Sequence, residues 1–149
     1  MLLHVTSSGE TAMIRVSGKV GWENSRVLDR QVDTILKTGT KRLVFDLGDV
    51  EFLSSGAIGV ISYNWRRLKE ISGEILILNP NDYVLYLFKS VGFLRVFEDR
   101  IFESTEALDA ALRERGATPL GSSSEHWESI DSTFDDDDEL SYREDKPDP

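Results

Sequence analysis

Val50-Glu51-Phe52-Leu53-Ser54-Ser55-Gly56-Ala57-Ile58-Gly59-Val60-Ile61 contains a change of periodicity. Apolar residues run up to Leu53, two hydroxyls follow, and the chain then switches to helical spacing. Ile58, Ile61, Trp65 and Leu68 recur three and four apart, the stripe of a helix laid on a sheet, and Gly73 reads as its terminator. Serine is a favoured helix N-cap, so Ser54-Ser55 marks the point where a strand hands over to a helix. Three small residues, Gly56, Ala57 and Gly59, occupy the first turns. They let the helix lie close to the sheet and leave its N-terminal surface open to another protein. Such a terminus also carries unpaired N–H groups and the positive end of the helix dipole, which favour an added phosphate.

The segments on either side fit the same architecture. Arg42-Leu43-Val44-Phe45-Asp46-Leu47 and Glu74-Ile75-Leu76-Ile77-Leu78 are compact apolar runs typical of inner strands. Before them, Leu2 to Val5 and Ala12 to Val16 flank Ser7-Ser8-Gly9 and predict a hairpin. Asn24 or Ser25 is positioned to cap a helix with Leu28, Val32, Ile35 and Leu36 inward, ending at Gly39. Asn79-Pro80-Asn81 opens another, with Val84, Leu87, Phe88 and Val91 inward and Gly92 as its stop. Phe97 and Ile101 suggest a last extended segment, and Ser104 or Thr105 caps a final helix with Leu108, Ala111 and Leu112 inward. Strand–helix alternation with short links implies right-handed crossovers. The expectation is one α/β domain over residues 1–117, with a mixed, mostly parallel sheet of four or five strands and about four helices.

Charge divides the 149 residues unevenly. Of the chain's net −10, residues 118–149 hold −9, from 11 acids against Arg143 and Lys146; residues 1–117 hold 15 basic and 16 acidic side chains. Gly121-Ser122-Ser123-Ser124 and the block Asp135-Asp136-Asp137-Asp138-Glu139 predict disorder from about residue 118. Trp127, Ile130, Phe134, Leu140 and Tyr142 are spaced among those acids, so the extension reads either as a solubilising arm or as a segment that folds on a basic surface. The absence of cysteine excludes disulfides and thiolate chemistry, and two histidines, His4 and His126, are too few for a His-rich metal cluster. The acidic balance argues against nucleic acid as a partner, and no apolar run reaches membrane-spanning length. Met1-Leu2-Leu3-His4-Val5 lacks the basic start of a signal peptide, so a cytoplasmic protein is expected. The sequence holds no Gly-rich phosphate loop of the P-loop type and suggests no Ser/His/Asp arrangement, so neither a cofactor nor enzymatic activity is expected.

Phe52 to Ile61 resembles the signature of STAS domains, the family of anti-sigma factor antagonists. Arg42 to Leu47, Arg67-Leu68-Lys69 through Gly73, Glu74 to Pro80, Leu87 to Phe93, Val96-Phe97 and Ser104 to Leu108 are similar to the family's further elements, in register over roughly residues 5–113. The resemblance implies an antagonist that binds an anti-sigma factor serine kinase when unphosphorylated. The kinase's phosphorylation of a serine at this junction releases it, and a serine phosphatase restores it. Carried onto this chain, the phosphoacceptor falls on Ser55, with Ser54 as the alternative. The partner-binding set is Ser54, Ser55, Gly56, Ala57 and Gly59. Self-association stays open, as does service in another assembly, a stress-sensing scaffold or an ABC lipid-transport complex.

Other residues admit two readings. Asp46 and Asp49 are either solvated loop carboxylates or groups that assist a phosphoryl acceptor or bind a magnesium ion. Trp22 is either a loop-packing residue or a partner contact, and Trp65 belongs to the inward stripe. Arg66, Arg67 and Lys69 suit the negative end of a helix dipole or an acidic surface. His4 reads as an ordinary strand residue.

Overall fold

The computed structural model of the protein describes residues 1–121 and 128–134. Strands β1 (Leu2–Ser8) and β2 (Thr11–Val20) form the expected hairpin, in unbroken antiparallel register from Leu2↔Ser17 to Ser8↔Thr11. Gly9 turns it with a φ of 60°, a conformation that costs glycine little. Strands and helices then alternate: α1 (Ser25–Leu36), β3 (Arg42–Leu53), α2 (Ser55–Glu70), β4 (Glu74–Leu78), α3 (Asp82–Ser90), α4 (Phe93–Val96), β5 (Ile101–Phe102) and α5 (Thr105–Glu114). The sheet runs β5-β4-β3-β2-β1, with β2 through β5 parallel and only the hairpin reversed. This is the mixed α/β fold that the alternation predicts. The helix beyond the expected four is α4, a single turn made after Gly92 breaks α3 at a φ of 83°.

Period-two alternation sends neighbouring strand residues to opposite faces. Leu43, Phe45 and Leu47 point into the main core beneath α1, α2, α3 and α4. Val44, Met13, Leu76 and Leu78 point the other way, under Leu108 and Leu112 of α5. The aromatic group Trp65, Phe88, Phe93 and Phe97 closes the main core near α3 and α4 in edge-to-face contacts.

Three details depart from the periodicity. On α2 the buried face is Ala57, Val60, Ile61, Asn64 and Leu68, with Ile58 and Trp65 only half-buried. The stripe is rotated because α1 packs along the flank of α2 and covers positions the sheet alone would leave open. Val91 lies beyond the end of α3 and is exposed. Finally, the left-handed residue after α2 is Ser72, not Gly73. Gly73 is needed for a different reason: a Cβ there would stand 2.3 Å from the Lys41 carbonyl oxygen.

Glu74 ties together the start of β4 and its surroundings. Arg115 reaches its carboxylate at 2.6 and 3.1 Å, Arg42 at 3.3 Å and Arg100 at 3.4 Å, while Arg42 also donates to the Thr11 hydroxyl at 2.9 Å. Burial alone pushes the Glu74 carboxyl up, but the Arg115 and Arg42 guanidiniums outweigh it and hold the group below the usual glutamate range.

A sixth strand, β6 (Glu128–Phe134), pairs antiparallel with β1 at the sheet edge. It lies in the extension that composition marks for disorder from residue 118. Leu120 and Gly121 are also held, donating their N–H groups to the Asp109 carboxylate at 2.6 and 3.2 Å. Composition measures how much apolar surface a segment can bury, whereas an edge strand is held by backbone pairing. Trp127, Leu140, Tyr142 and the acidic block 135–139 lie outside the described residues.

Candidate functional site: the head of strand β3

Strand β3 is 12 residues long, but β4 pairs only with its first five, Arg42 to Asp46. Above that point β2 continues alongside as far as Val20↔Leu53, and the other flank has no strand. Side chains from α3 replace it. Asn81 Nδ2 donates to the carbonyls of Val50 at 2.7 Å and Gly48 at 3.3 Å. The Asn81 Oδ1 accepts the Val84 N–H at 2.9 Å and so caps α3 as well. Higher up, the Leu53 N–H donates to the Tyr83 hydroxyl at 3.1 Å. The head of β3 is thereby a fixed pedestal, carrying Ser54-Ser55 at the carboxyl end of the parallel strands.

The two serines do different work. Ser54 has extended backbone and is half-buried, and its Oγ accepts the Ala57 N–H at 3.2 Å. That is an N-cap, typically worth about 0.5–2 kcal/mol. Ser55 is the first residue of α2 and is exposed; among the described residues its hydroxyl has no hydrogen-bond partner.

Of the small residues, Ala57 is fully buried in the main core and offers no side-chain surface. Gly56 is half-buried, and a Cβ there would meet Ser25 Oγ at 2.7 Å and Trp22 Cε3 at 3.2 Å. Its smallness serves the close approach of the turn before α1. Gly59 is exposed with open space around it, so the fold itself does not require glycine there. Trp22 is 71% exposed beside Gly56, and Phe52 and Tyr83 are further exposed aromatics on the segments that carry and brace the serines. A shallow cleft of about 330 Å³ between α1 and α2 is lined by Ser25, Arg26, Asp29, Arg30 and Val60.

The other candidates stand elsewhere. Asp46 faces away from α2; it pairs with Arg15 at 3.2 Å and accepts the Gly48 N–H, while Asp49 is exposed. No group of three or more acidic or histidine side chains that could hold a metal occurs among the described residues. Arg67 bonds Asp33 at 3.2 Å and Asn64 at 3.2 Å, and Lys69 lies over the Trp65 ring at 4.3 Å, so both are engaged within the domain. Asn24 occupies the expected N-cap position of α1 but makes no side-chain cap bond: its Nδ2 bonds the Lys19 carbonyl, and Ser25 Oγ bonds that of Trp22. His4 is an exposed strand residue. Sequence reading missed Asn81 and Tyr83 as supports of the site, because the β3 groups they bond lie 30 to 33 positions earlier in the chain.

No helix among the described residues is long and apolar enough to cross a membrane. BtrV of Bordetella bronchiseptica, named as a candidate anti-sigma factor antagonist, is 28% identical over 98 residues, 66% of this chain and 83% of that protein. The anti-sigma factor antagonist SpoIIAA in its unphosphorylated form superposes with a TM-score of 0.64 at 19% identity, covering 78% of this chain and 98% of SpoIIAA. The phosphorylated form of the Bacillus protein gives 0.60 at 18% identity, over 73% and 98% of the two chains. The profile of the STAS domain matches residues 3–108, which include every element from β2 to β5, and the chain belongs to the STAS domain family.

Proposed function

We propose that this protein is an anti-sigma factor antagonist that works by switching partners. Unphosphorylated, it binds an anti-sigma factor serine kinase through the head of β3 and the start of α2. Phosphorylation of Ser55 releases it, and a serine phosphatase resets it. The observation that carries this reading is the division between the two serines: one hydroxyl is committed to the cap, and the other is exposed and unengaged among the described residues. The relatives named anti-sigma factor antagonists support it, and SpoIIAA has been solved with and without its phosphate in forms that both resemble this chain.

The physics of release follows from position. A phosphate on Ser55 adds about −1.5 to −2 charges at pH 7. At the N-terminus of α2 the helix dipole and the leading N–H groups accept that charge, so the domain stays folded. The cost falls on the partner, which has to cover the same small surface. Desolvating the phosphate beneath it opposes binding, and each 1.4 kcal/mol or so is tenfold in affinity.

The test joins two measurements. Phosphopeptide mapping after incubation with the copurifying kinase and ATP is expected to find phosphate on Ser55. Ser55→Glu is expected to bind that kinase at least about tenfold more weakly with an unchanged circular dichroism spectrum, while Ser55→Ala stays bound. Phosphate on Ser54 alone, or undiminished binding by Ser55→Glu, overturns the proposal.

A further inference from the structure

The outer edge of β1 has the properties of a strand-addition surface. Its pairing with β2 runs from Leu2 to Ser8 without a register shift, so it is a regular template. Leu2-Leu3-His4-Val5-Thr6-Ser7-Ser8 has no Lys, Arg, Asp, Glu or Pro, the residues that usually make an edge strand unfit for pairing. Leu3 and Val5 are already buried under the domain's own helices, so an added strand requires no rearrangement of the core. An antiparallel pair of two β1 strands centred on Val5 sets Leu3 opposite Ser7 and His4 opposite Thr6, with no like charges in register.

In the structure this edge is taken by β6. The register Leu3↔Phe134, Val5↔Asp131, Thr6↔Ser129 and Ser7↔Glu128 contains two shifts, so seven residues of β6 span five of β1. Bulges of this kind end a ladder rather than extend it. The β6 sequence also carries two acids in seven residues, and charged residues disfavour further pairing at an edge strand.

We propose that β6 is an intramolecular guard on β1, and that the occupant it excludes is the β1 edge of a second copy of this chain. Six residues separate Gly121 from Glu128, so β6 competes at an effective concentration on the order of millimolar. A second copy therefore gains the edge only when β6 is disengaged. This inference does not depend on the role of Ser55, and its test involves no kinase.

Ser129→Pro/Ser132→Pro in the full chain removes two N–H groups from β6 and leaves the formal charge unchanged. The wild-type chain is expected to remain monomeric in sedimentation from about 1 to about 500 µM, with outward-facing β1 amides protected from exchange at least about tenfold relative to the proline variant. The variant is expected to dimerise within that range at an unchanged circular dichroism spectrum. Adding His4→Glu/Thr6→Glu, which sets acids opposite one another across the β1 pair, is expected to return it to monomer. Three results overturn the proposal: wild-type β1 amides that exchange as fast as those of the variant, a proline variant that stays monomeric, or a dimer that survives the glutamates.

Discussion

The two ends of β3 are built on opposite principles. At its foot, Arg42 shares Glu74 with Arg115 and Arg100, and Gly73 lies against the Lys41 carbonyl too closely for any side chain. At its head the strand outruns β4, two side chains of α3 brace it, and it ends in an exposed hydroxyl beside exposed aromatics. The foot locks strands and α5 together, and the head leaves surface uncommitted. A domain stabilised at one end can accept a charge at the other without melting.

Substitutions should therefore cost more stability at the foot than at the head. The largest effect is expected from Gly73→Ala, which forces a methyl into the Lys41 carbonyl and Leu68; a loss of about 1–3 kcal/mol should appear as a lower urea midpoint. A midpoint equal to the wild type would erase the distinction between the two ends.

Next comes Glu74→Gln, which leaves three arginines facing an uncharged amide. About 1–2 kcal/mol is expected to be lost at pH 7, since the side chain is 17% exposed and solvent screens part of the interaction. The sign with pH follows from the lowered carboxyl. The folded value lies below the ordinary 4.5, so the stabilisation is complete above that pH and disappears as pH falls through the folded value. Wild type and variant should thus converge in stability in acid, and a gap that widens on acidification would contradict the ion-pair account.

At the head, Ser54→Ala removes the α2 cap and should cost about 1 kcal/mol, while Ser55→Ala should stay within about 0.5 kcal/mol of wild type. Parallel urea titrations of the two variants check this, and equal losses would remove the structural distinction between the serines. The smallest expected change has the opposite sign. Gly59→Ala meets nothing within 4 Å on an exposed helix surface, so it should raise stability by a few tenths to about 1 kcal/mol. A thermal melt that falls would mean that Gly59 is held by its own fold after all.

Much of this was legible in the sequence because it depends on local pattern. The apolar run of β3, the hydroxyl cap on α2 and the helical spacing of Leu28, Val32 and Ile35 each follow from a few neighbouring residues. What escaped depends on contacts across the fold. The rotation of α2 that buries Ala57 comes from α1, and the buried Asn64 is satisfied by Val60 and by Asp29 of that helix, at 2.8 and 3.4 Å. Gly73 looked like a conformational stop but is a steric necessity set by Lys41, 32 positions earlier in the chain. Strand β6 escaped because its polar sequence carries no core stripe and its place is given by the backbone of β1.

Asn81 shows how few solutions such a design allows. Its short amide presents an acceptor to the Val84 N–H and a donor to the Gly48 and Val50 carbonyls, fastening a helix start and a strand flank with one group. Aspartate would keep the first bond and repel the carbonyls, serine lacks the reach, and glutamine is a methylene too long. The vocabulary at this position shrinks to a single amino acid, fixed by the joinery of the scaffold.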